Sequence, residues 1–166
     1  MKTGIGSHHR GHHGRTDEWL TPPEIIEALG PFDLDPCSPL NRPWTTATKH
    51  FTVQDDGLSK DWSGRVWLNP PYGPETGKWL QKLMLHGEGT ALIFARTETD
   101  MFHRFVWDTA AACLFLRGRL HFHYVTGERA KANAGGPSVL VAYGRLDRER
   151  LKQCDIPGHL VDLWAD

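Results

Sequence analysis

Apolar residues come in short bursts along this chain, and the spacing inside each burst indicates the element it builds. Ile25, Ile26 and Leu29 share one face at helical spacing, between Thr21-Pro22-Pro23-Glu24 and Gly30-Pro31. Thr21 reads as the N-cap, Pro22 as the first helical residue, and Glu24 as the second half of a capping box. Phe32-Asp33-Leu34-Asp35 reads as a short strand stopped by Pro36, and residues 37–64 as irregular chain with a turn at Asp55-Asp56-Gly57. Arg65 to Leu68 is a strand. Glu75 to His86 places Trp79, Leu80, Leu83 and Met84 on one helical face and stops at Gly87. A buried strand at Thr90 to Ala95 precedes a helix from about Asp100, with Phe102, Phe105 and Val106 inward. Ala112 to Leu116 is another strand. Leu120, Phe122 and Tyr124 alternate with His121 and His123, the period of a half-buried strand. Ser138 to Tyr143 is the last strand, and residues 145–153 form a charged helix or tail. Strand–helix alternation followed by closely spaced strands predicts an α/β fold. Its sheet is expected to be mostly parallel, with an antiparallel edge hairpin.

Composition narrows the class. A chain of 166 residues with 39% hydrophobic and 10% aromatic content is expected to be one globular domain. No apolar run is long enough for a membrane span, and the N-terminus lacks a signal-peptide core. Cys37, Cys113 and Cys154 are odd in number and far apart, which suits reduced thiols in a cytoplasmic protein. They have no zinc-ligand spacing, so no metal site is expected. The net charge of -1 does not announce a nucleic-acid partner, but its distribution is uneven. Residues 1–16 carry Lys2, Arg10, Arg15 and paired histidines with no acid, the pattern of a flexible basic arm. The histidine pairs suit a metal, although a solvated tail is the plainer reading.

The chemistry concentrates at Asn69-Pro70-Pro71-Tyr72, directly after the strand Val66-Trp67-Leu68. A polar amide, two helix-breaking prolines and an aromatic suit the mouth of a pocket at the C-terminal end of a strand. An exocyclic amine on a base is a weak nucleophile, because its lone pair is delocalised into the ring. If the Asn69 side-chain oxygen and the Pro70 carbonyl each accept one of its hydrogens, the nitrogen is held nearer tetrahedral and its lone pair can be aimed at a methyl group. Pro70 and Pro71 stiffen the loop, and Tyr72 offers a flat face for the base. The plain alternative is a proline-rich turn closing a strand.

Thr21-Pro22-Pro23-Glu24-Ile25-Ile26, then Asp35-Pro36-Cys37, then Asn69-Pro70-Pro71-Tyr72-Gly73 resembles the ordered motif series of amino-methyltransferases that use S-adenosylmethionine. More closely, the chain resembles the compact phage-type DNA N6-adenine methyltransferase (Dam-like) family. Asp17-Glu18-Trp19, Asp55-Asp56-Gly57-Leu58, Ala95-Arg96-Thr97 and Gly118-Arg119-Leu120 continue the likeness, which spans about residues 16–144. It implies a Rossmann-like class I methyltransferase domain over 17–144, preceded by the arm at 1–16 and followed by the helix or tail at 145–166. It also implies S-adenosylmethionine as cofactor and adenine N6 in DNA as acceptor. The setting would be the cytoplasm of a bacterial host for a phage- or prophage-encoded protein, a monomer or homodimer with no membrane partner.

Roles carry over from the family to these positions. Thr21 and Pro22 help hold the methionine end of the cofactor, and Asp35 with Pro36 and Cys37 lines the first strand's turn toward it. The usual glycine-rich turn after that strand is replaced by Cys37-Ser38-Pro39-Leu40-Asn41, so Asp55 or Asp56 becomes the candidate contact to ribose or adenine. Asn69, Pro70, Pro71 and Tyr72 form the catalytic loop, with Asn69 also facing the cofactor. Arg119, Arg129 and Lys131 bracket the Gly-rich loop at 118–136 and are candidates for phosphate contact. With no room for a separate recognition domain, sequence selectivity should be short or weak. The alternatives are an N-methyltransferase acting on RNA adenine or a protein glutamine amide, or a non-catalytic nucleic-acid-binding remnant.

Overall fold

Strands buried on both faces set the architecture of the protein, whose computed structural model describes residues 18–164. The basic arm expected at 1–16 lies outside the described residues. In chain order, α1 spans Pro23–Leu29, β1 Leu34–Asp35, β2 Lys49–His50, β3 Val66–Leu68 and α2 Thr76–His86. Then come β4 Gly89–Phe94, α3 Asp100–Phe102, β5 Ala112–Leu116, β6 Ser138–Tyr143, α4 Arg145–Gln153 and β7 Gly158–Asp162. A 3-10 turn covers Gly57–Ser59, and a π-helical stretch, His103–Trp107, extends α3. The strands form one seven-stranded sheet in the order β2-β1-β3-β4-β6-β5-β7.

The two periods of the sequence meet at this sheet. Along β3, Val66 and Leu68 point into one core with Trp79, Leu80 and Leu83 of α2 and Phe102 and Val106 of the α3 segment. Trp67 points into the other core, with Ile25 and Leu29 of α1 and Leu151 of α4. Helices therefore cover both faces, and the central strands read as continuous apolar runs instead of alternating ones.

β2, β1, β3 and β4 are parallel neighbours, whereas β4–β6, β6–β5 and β5–β7 pair antiparallel. The fold is thus a mixed α/β sheet whose antiparallel share exceeds the single edge hairpin expected. Part of the excess is β7. Residues 145–162, expected as a helix or tail, contribute α4 to one face and a strand paired along β5. The alternation at 120–124 makes no named strand. It yields only the bridges Leu20↔His123 and His123↔Arg129, because single residues, not an extended neighbour, lie alongside it. At α1, Pro22 occupies the cap position and no side chain caps the helix, so the Thr21 hydroxyl is released for other use.

Strand order places the crevice. From β1 the chain goes to β2 on one side and later to β3 on the other, so the order switches between β1 and β3. At such a point loops leave the C-terminal ends in opposite directions and a crevice opens between them. The opposite end is locked. Just before β3, Arg65 reaches Asp147 of α4 through Nε at 3.0 Å and Nη2 at 2.9 Å, and its Nη1 donates to the Pro31 carbonyl at 3.0 Å. The Thr90 hydroxyl of β4 also donates to Asp147, at 2.6 Å, and the guanidinium lies over the Phe32 ring. Asp147→Ala leaves a buried cation without its partner, so a loss of about 3–5 kcal/mol is expected. Urea unfolding followed by circular dichroism measures it; an unchanged midpoint would show that the pair does not hold the sheet.

Candidate active site

β3 ends at Leu68 because the next residues cannot continue a ladder: neither Pro70 nor Pro71 has an N–H to donate. The Thr76 hydroxyl donates to the Pro71 carbonyl at 2.6 Å, which ties the loop to the first turn of α2. Asn69 sits at the strand's tip. Its Nδ2 donates to the Trp19 carbonyl and to Thr21 Oγ1, each at 3.4 Å. A carbonyl can only accept, so the Trp19 contact fixes which end of the amide is nitrogen. Oδ1 is thereby turned the other way, buried and without a hydrogen-bond partner. Such an orphaned acceptor costs about 1–3 kcal/mol unless a ligand supplies the hydrogen.

Asp35 stands at the end of β1 on the other side of the switch point, 3% exposed. One carboxylate oxygen accepts from the Cys37 amide at 3.1 Å and the other from the Thr46 hydroxyl. Burial raises its pKa to about 6, against the lowering effect of those two hydrogen bonds and of the Arg42 charge. Burial also pushes the Cys37 thiol up to about 12, with the negative charges of Asp35 and Glu18 adding to it, so it is no nucleophile at neutral pH. The chain can pass close behind Asp35 only at a glycine: a Cβ on Gly57 would lie 2.0 Å from the Pro36 carbonyl.

Trp19, Leu20, Thr21, Asp35, Cys37, Pro39, Thr46 and Asn69 line one cleft. Segments far apart in sequence thus converge at the switch point and bring together a buried carboxylate and the Asn69 amide. A carboxylate and an amide oxygen are acceptors, which suits a ligand bearing positive charge and N–H groups. Pro22 is buried beside Thr21, and Pro36 beneath Gly57. Other expected residues lie elsewhere. Asp56 is exposed in a left-handed turn at φ 54 and does not line the cleft, because Gly57 and not the acid occupies the close approach. Tyr72 does not present a free ring. It stacks on Phe94 at 4.2 Å and 17°, with Phe122 edge-on at 6.4 Å, and its hydroxyl is buried without a partner. Arg119, Arg129 and Lys131 are exposed on the loop after β5, with Arg119 Nη1 donating to the Ala134 carbonyl at 3.1 Å. That loop adjoins the cleft: Leu20 and His123 exchange backbone hydrogen bonds of 2.8 and 3.0 Å, and the Trp19 and Tyr124 rings are 5.3 Å apart.

Thr46, Pro39 and Leu20 were not legible in the sequence, since an isolated Thr in an irregular stretch carries no pattern. Trp19 had a signal, its place two residues before Thr21 in the matching stretch, but no role followed from it.

The raised pKa of Asp35 has a consequence for stability. The folded protein keeps this proton to higher pH than the unfolded chain. Stability from this group is therefore greatest below pH 4, declines as pH rises to about 6, and is level above. In Asp35→Asn the decline should vanish, so the variant gains roughly 3 kcal/mol on the wild type between pH 4 and pH 7. Parallel denaturant titrations across that range measure the gain; identical slopes in both proteins would show that Asp35 is ionised throughout.

Among the described residues no helix is long and apolar enough to cross a membrane, and no group of three or more His, Cys, Asp or Glu is placed to hold a metal ion. No curated protein and no solved structure matches the chain. A family model described as DNA N-6-adenine-methyltransferase (Dam) matches residues 9–152, a span that includes the cleft, the Asn69 loop and the basic loop. On that match, which covers most of its length, the chain belongs to the DNA N-6-adenine-methyltransferase (Dam) family.

Proposed function

We propose that the protein is an S-adenosylmethionine-dependent enzyme that methylates adenine N6 in DNA, by direct transfer and at short or weakly selective sites. The observation that carries this reading is the Asn69 amide, held through its nitrogen and left with a buried, unpartnered Oδ1. A rigid acceptor at the tip of a strand is what an exocyclic amine needs to be positioned for attack. Oδ1 accepts one amine hydrogen and the Pro70 carbonyl the other, which draws the nitrogen toward tetrahedral and frees its lone pair. No charge on the protein has to move, so the rate comes from positioning and from fixed dipoles.

Asp35, with Thr21, Pro22, Pro36 and Cys37 around it, would hold the cofactor, whose chemical contribution is a methyl group on a positively charged sulfur. A cationic ligand beside Asp35 offsets the burial of its charge. The Thr21 hydroxyl acts on two sides, lining the cleft and accepting from Asn69. The bulk of Tyr72 serves the loop from below, through its stack on Phe94. Arg129 and Lys131 on the loop after β5, with Arg119 bracing that loop, would meet the phosphate backbone. A bacterial cytoplasm, a phage or prophage origin and a monomer or homodimer complete this reading, which the family's likeness suggests.

The test is incubation with methyl-labelled cofactor and separate DNA, RNA and protein acceptors, followed by digestion to nucleosides. N6-methyl-2'-deoxyadenosine from DNA is the expected product; label in protein or RNA alone would sink the reading. Asn69→Ala should abolish turnover while leaving cofactor affinity within a few-fold in calorimetry, and comparable rates for mutant and wild type would remove Asn69 from the chemistry. Cofactor affinity should fall as pH drops below about 6, where Asp35 takes up its proton, and should lose that dependence in Asp35→Asn. For the basic loop, Lys131→Ala should weaken DNA binding equally for all sequences and lower the salt slope by about one. An unchanged slope would put the DNA on another face.

A further inference from the structure

We propose that the outer edge of β7 is a pairing surface for the same strand of a second copy of this chain, joined antiparallel about a two-fold axis through Leu160. A sheet has two edges, and each presents a row of unpaired N–H and C=O groups. The two edges of this sheet differ. At one end β2 is two residues long, Lys49–His50, with an exposed lysine. At the other, β7 runs five residues, Gly158-His159-Leu160-Val161-Asp162, with neither lysine nor proline among them and an unbroken register with β5. Short length and lysine are devices that blunt an edge, and β7 has neither.

The pattern of the free groups selects the partner. At the two ends of the ladder, the Leu163 N–H donates to the Ala111 carbonyl at 3.0 Å and the Pro157 carbonyl accepts from the Arg117 N–H at 2.9 Å. Backbone groups alternate sides along an antiparallel strand, so residues 157, 159, 161 and 163 face β5. The N–H and C=O groups of Gly158, Leu160 and Asp162 therefore point outward, and no described strand lies beyond β7 in the sheet. Three outward positions spaced evenly about Leu160 match their own copy. A two-fold axis through Leu160 sets Leu160 against Leu160 and Gly158 against Asp162 on either side, closing about six hydrogen bonds with no outward group left over.

Side chains and charge fit the same register. Leu160 sits on the face of α4, which lies mainly over β6 and β5 and leaves it half-buried; across the axis it meets its own copy. Asp162 is already held by Arg148 at 2.6 and 2.8 Å and by Lys152 at 3.4 Å, and a glycine stands opposite it. On the other face His159 meets the half-buried Val161, so the two histidines stay apart. Like charges directly opposite would weaken such a pair, and this register has none. Trp164, 42% exposed with Arg148 over its ring at 5.8 Å, continues past the strand toward Ile156 and Pro157 at the start of the other copy's β7. The edge lies at the far end of the sheet from the β1–β3 crevice, so pairing leaves both crevices open.

Sedimentation equilibrium of the full chain at rising micromolar concentration reads the assembly directly. Wild type should approach twice the chain mass of 18.8 kDa. Leu160→Pro removes an outward N–H and no bond to β5, a place where an edge strand tolerates proline. It should stay at single-chain mass with an unchanged circular dichroism spectrum. Leu160→Cys should cross-link to its own copy under mild oxidation, since hydrogen-bonded partners stand about 5.5 Å apart, within disulfide reach. His159→Cys, whose partner is Val161, should cross-link no more than the wild type with its native thiols. A wild type that stays at single-chain mass, a dimer that survives Leu160→Pro, or a Leu160→Cys that cross-links no more than wild type overturns the proposal. Methylation is a separate readout. Leu160→Pro should keep the wild-type activity per chain, and DNA left unmethylated by both proteins overturns the catalytic reading while the masses still decide the pairing.

Discussion

Asp147 carries a fully buried charge, and the positions of β1, β3 and β4 all refer to it. It receives Arg65 from the start of β3 and the Thr90 hydroxyl from β4, while Arg65 reaches back to Pro31 and covers Phe32 just before β1. Buried charges hold elements in register because any slip would leave one of them unsatisfied at a cost of several kcal/mol. With their entry ends locked in this way, the three strands deliver their exit ends to defined places. Asp35 and Asn69 stand at two of those ends, a few residues along each strand from the ion pair. Stability and chemistry therefore occupy opposite ends of one short parallel unit.

At the exit end the physical situation reverses. Instead of an ion pair, this end holds an unpartnered amide oxygen and a carboxylate so buried that its pKa rises to about 6. Both are costs in the folded protein, and both disappear when N–H groups or a positive charge enter the cleft. A fold that tolerates such groups is one whose remaining core offsets them, here two apolar layers on either side of a sheet buried on both faces. The Asn69 amide shows how the cost is kept directional. Its nitrogen is held by Trp19 and Thr21, so the oxygen has no freedom to seek a partner within the protein.

The segment 18–21 links the parts. It runs between Asn69 and the loop after β5, accepting from the first and pairing with His123 of the second. The basic loop is in this way mechanically continuous with the Asn69 amide. Pro22 contributes by taking the cap position of α1, which leaves the Thr21 hydroxyl free to face the cleft.

Local physics in the sequence was enough for the helices α1 and α2 and the strands β3 to β6. Helical and strand periods are properties of neighbouring residues, and prolines stop a ladder wherever they stand. The Asn-Pro-Pro-Tyr run raised the expectation of amine chemistry because its acceptors are adjacent in the chain. What needed the tertiary structure were features decided by partners distant in sequence. β7 exists because β5 lies open beside it, and 120–124 fails as a strand because no extended neighbour meets it. Thr21 caps nothing because Pro22 holds the cap position, and Tyr72 lies against Phe94 because β4 brings that ring beneath the loop. Thr46 reaches Asp35 across an irregular stretch that has no period to read, and Asp56 lies outside the cleft because glycine alone fits the close approach behind Pro36. A side chain's type states which bonds it can make; only the packed chain decides which of them are already taken.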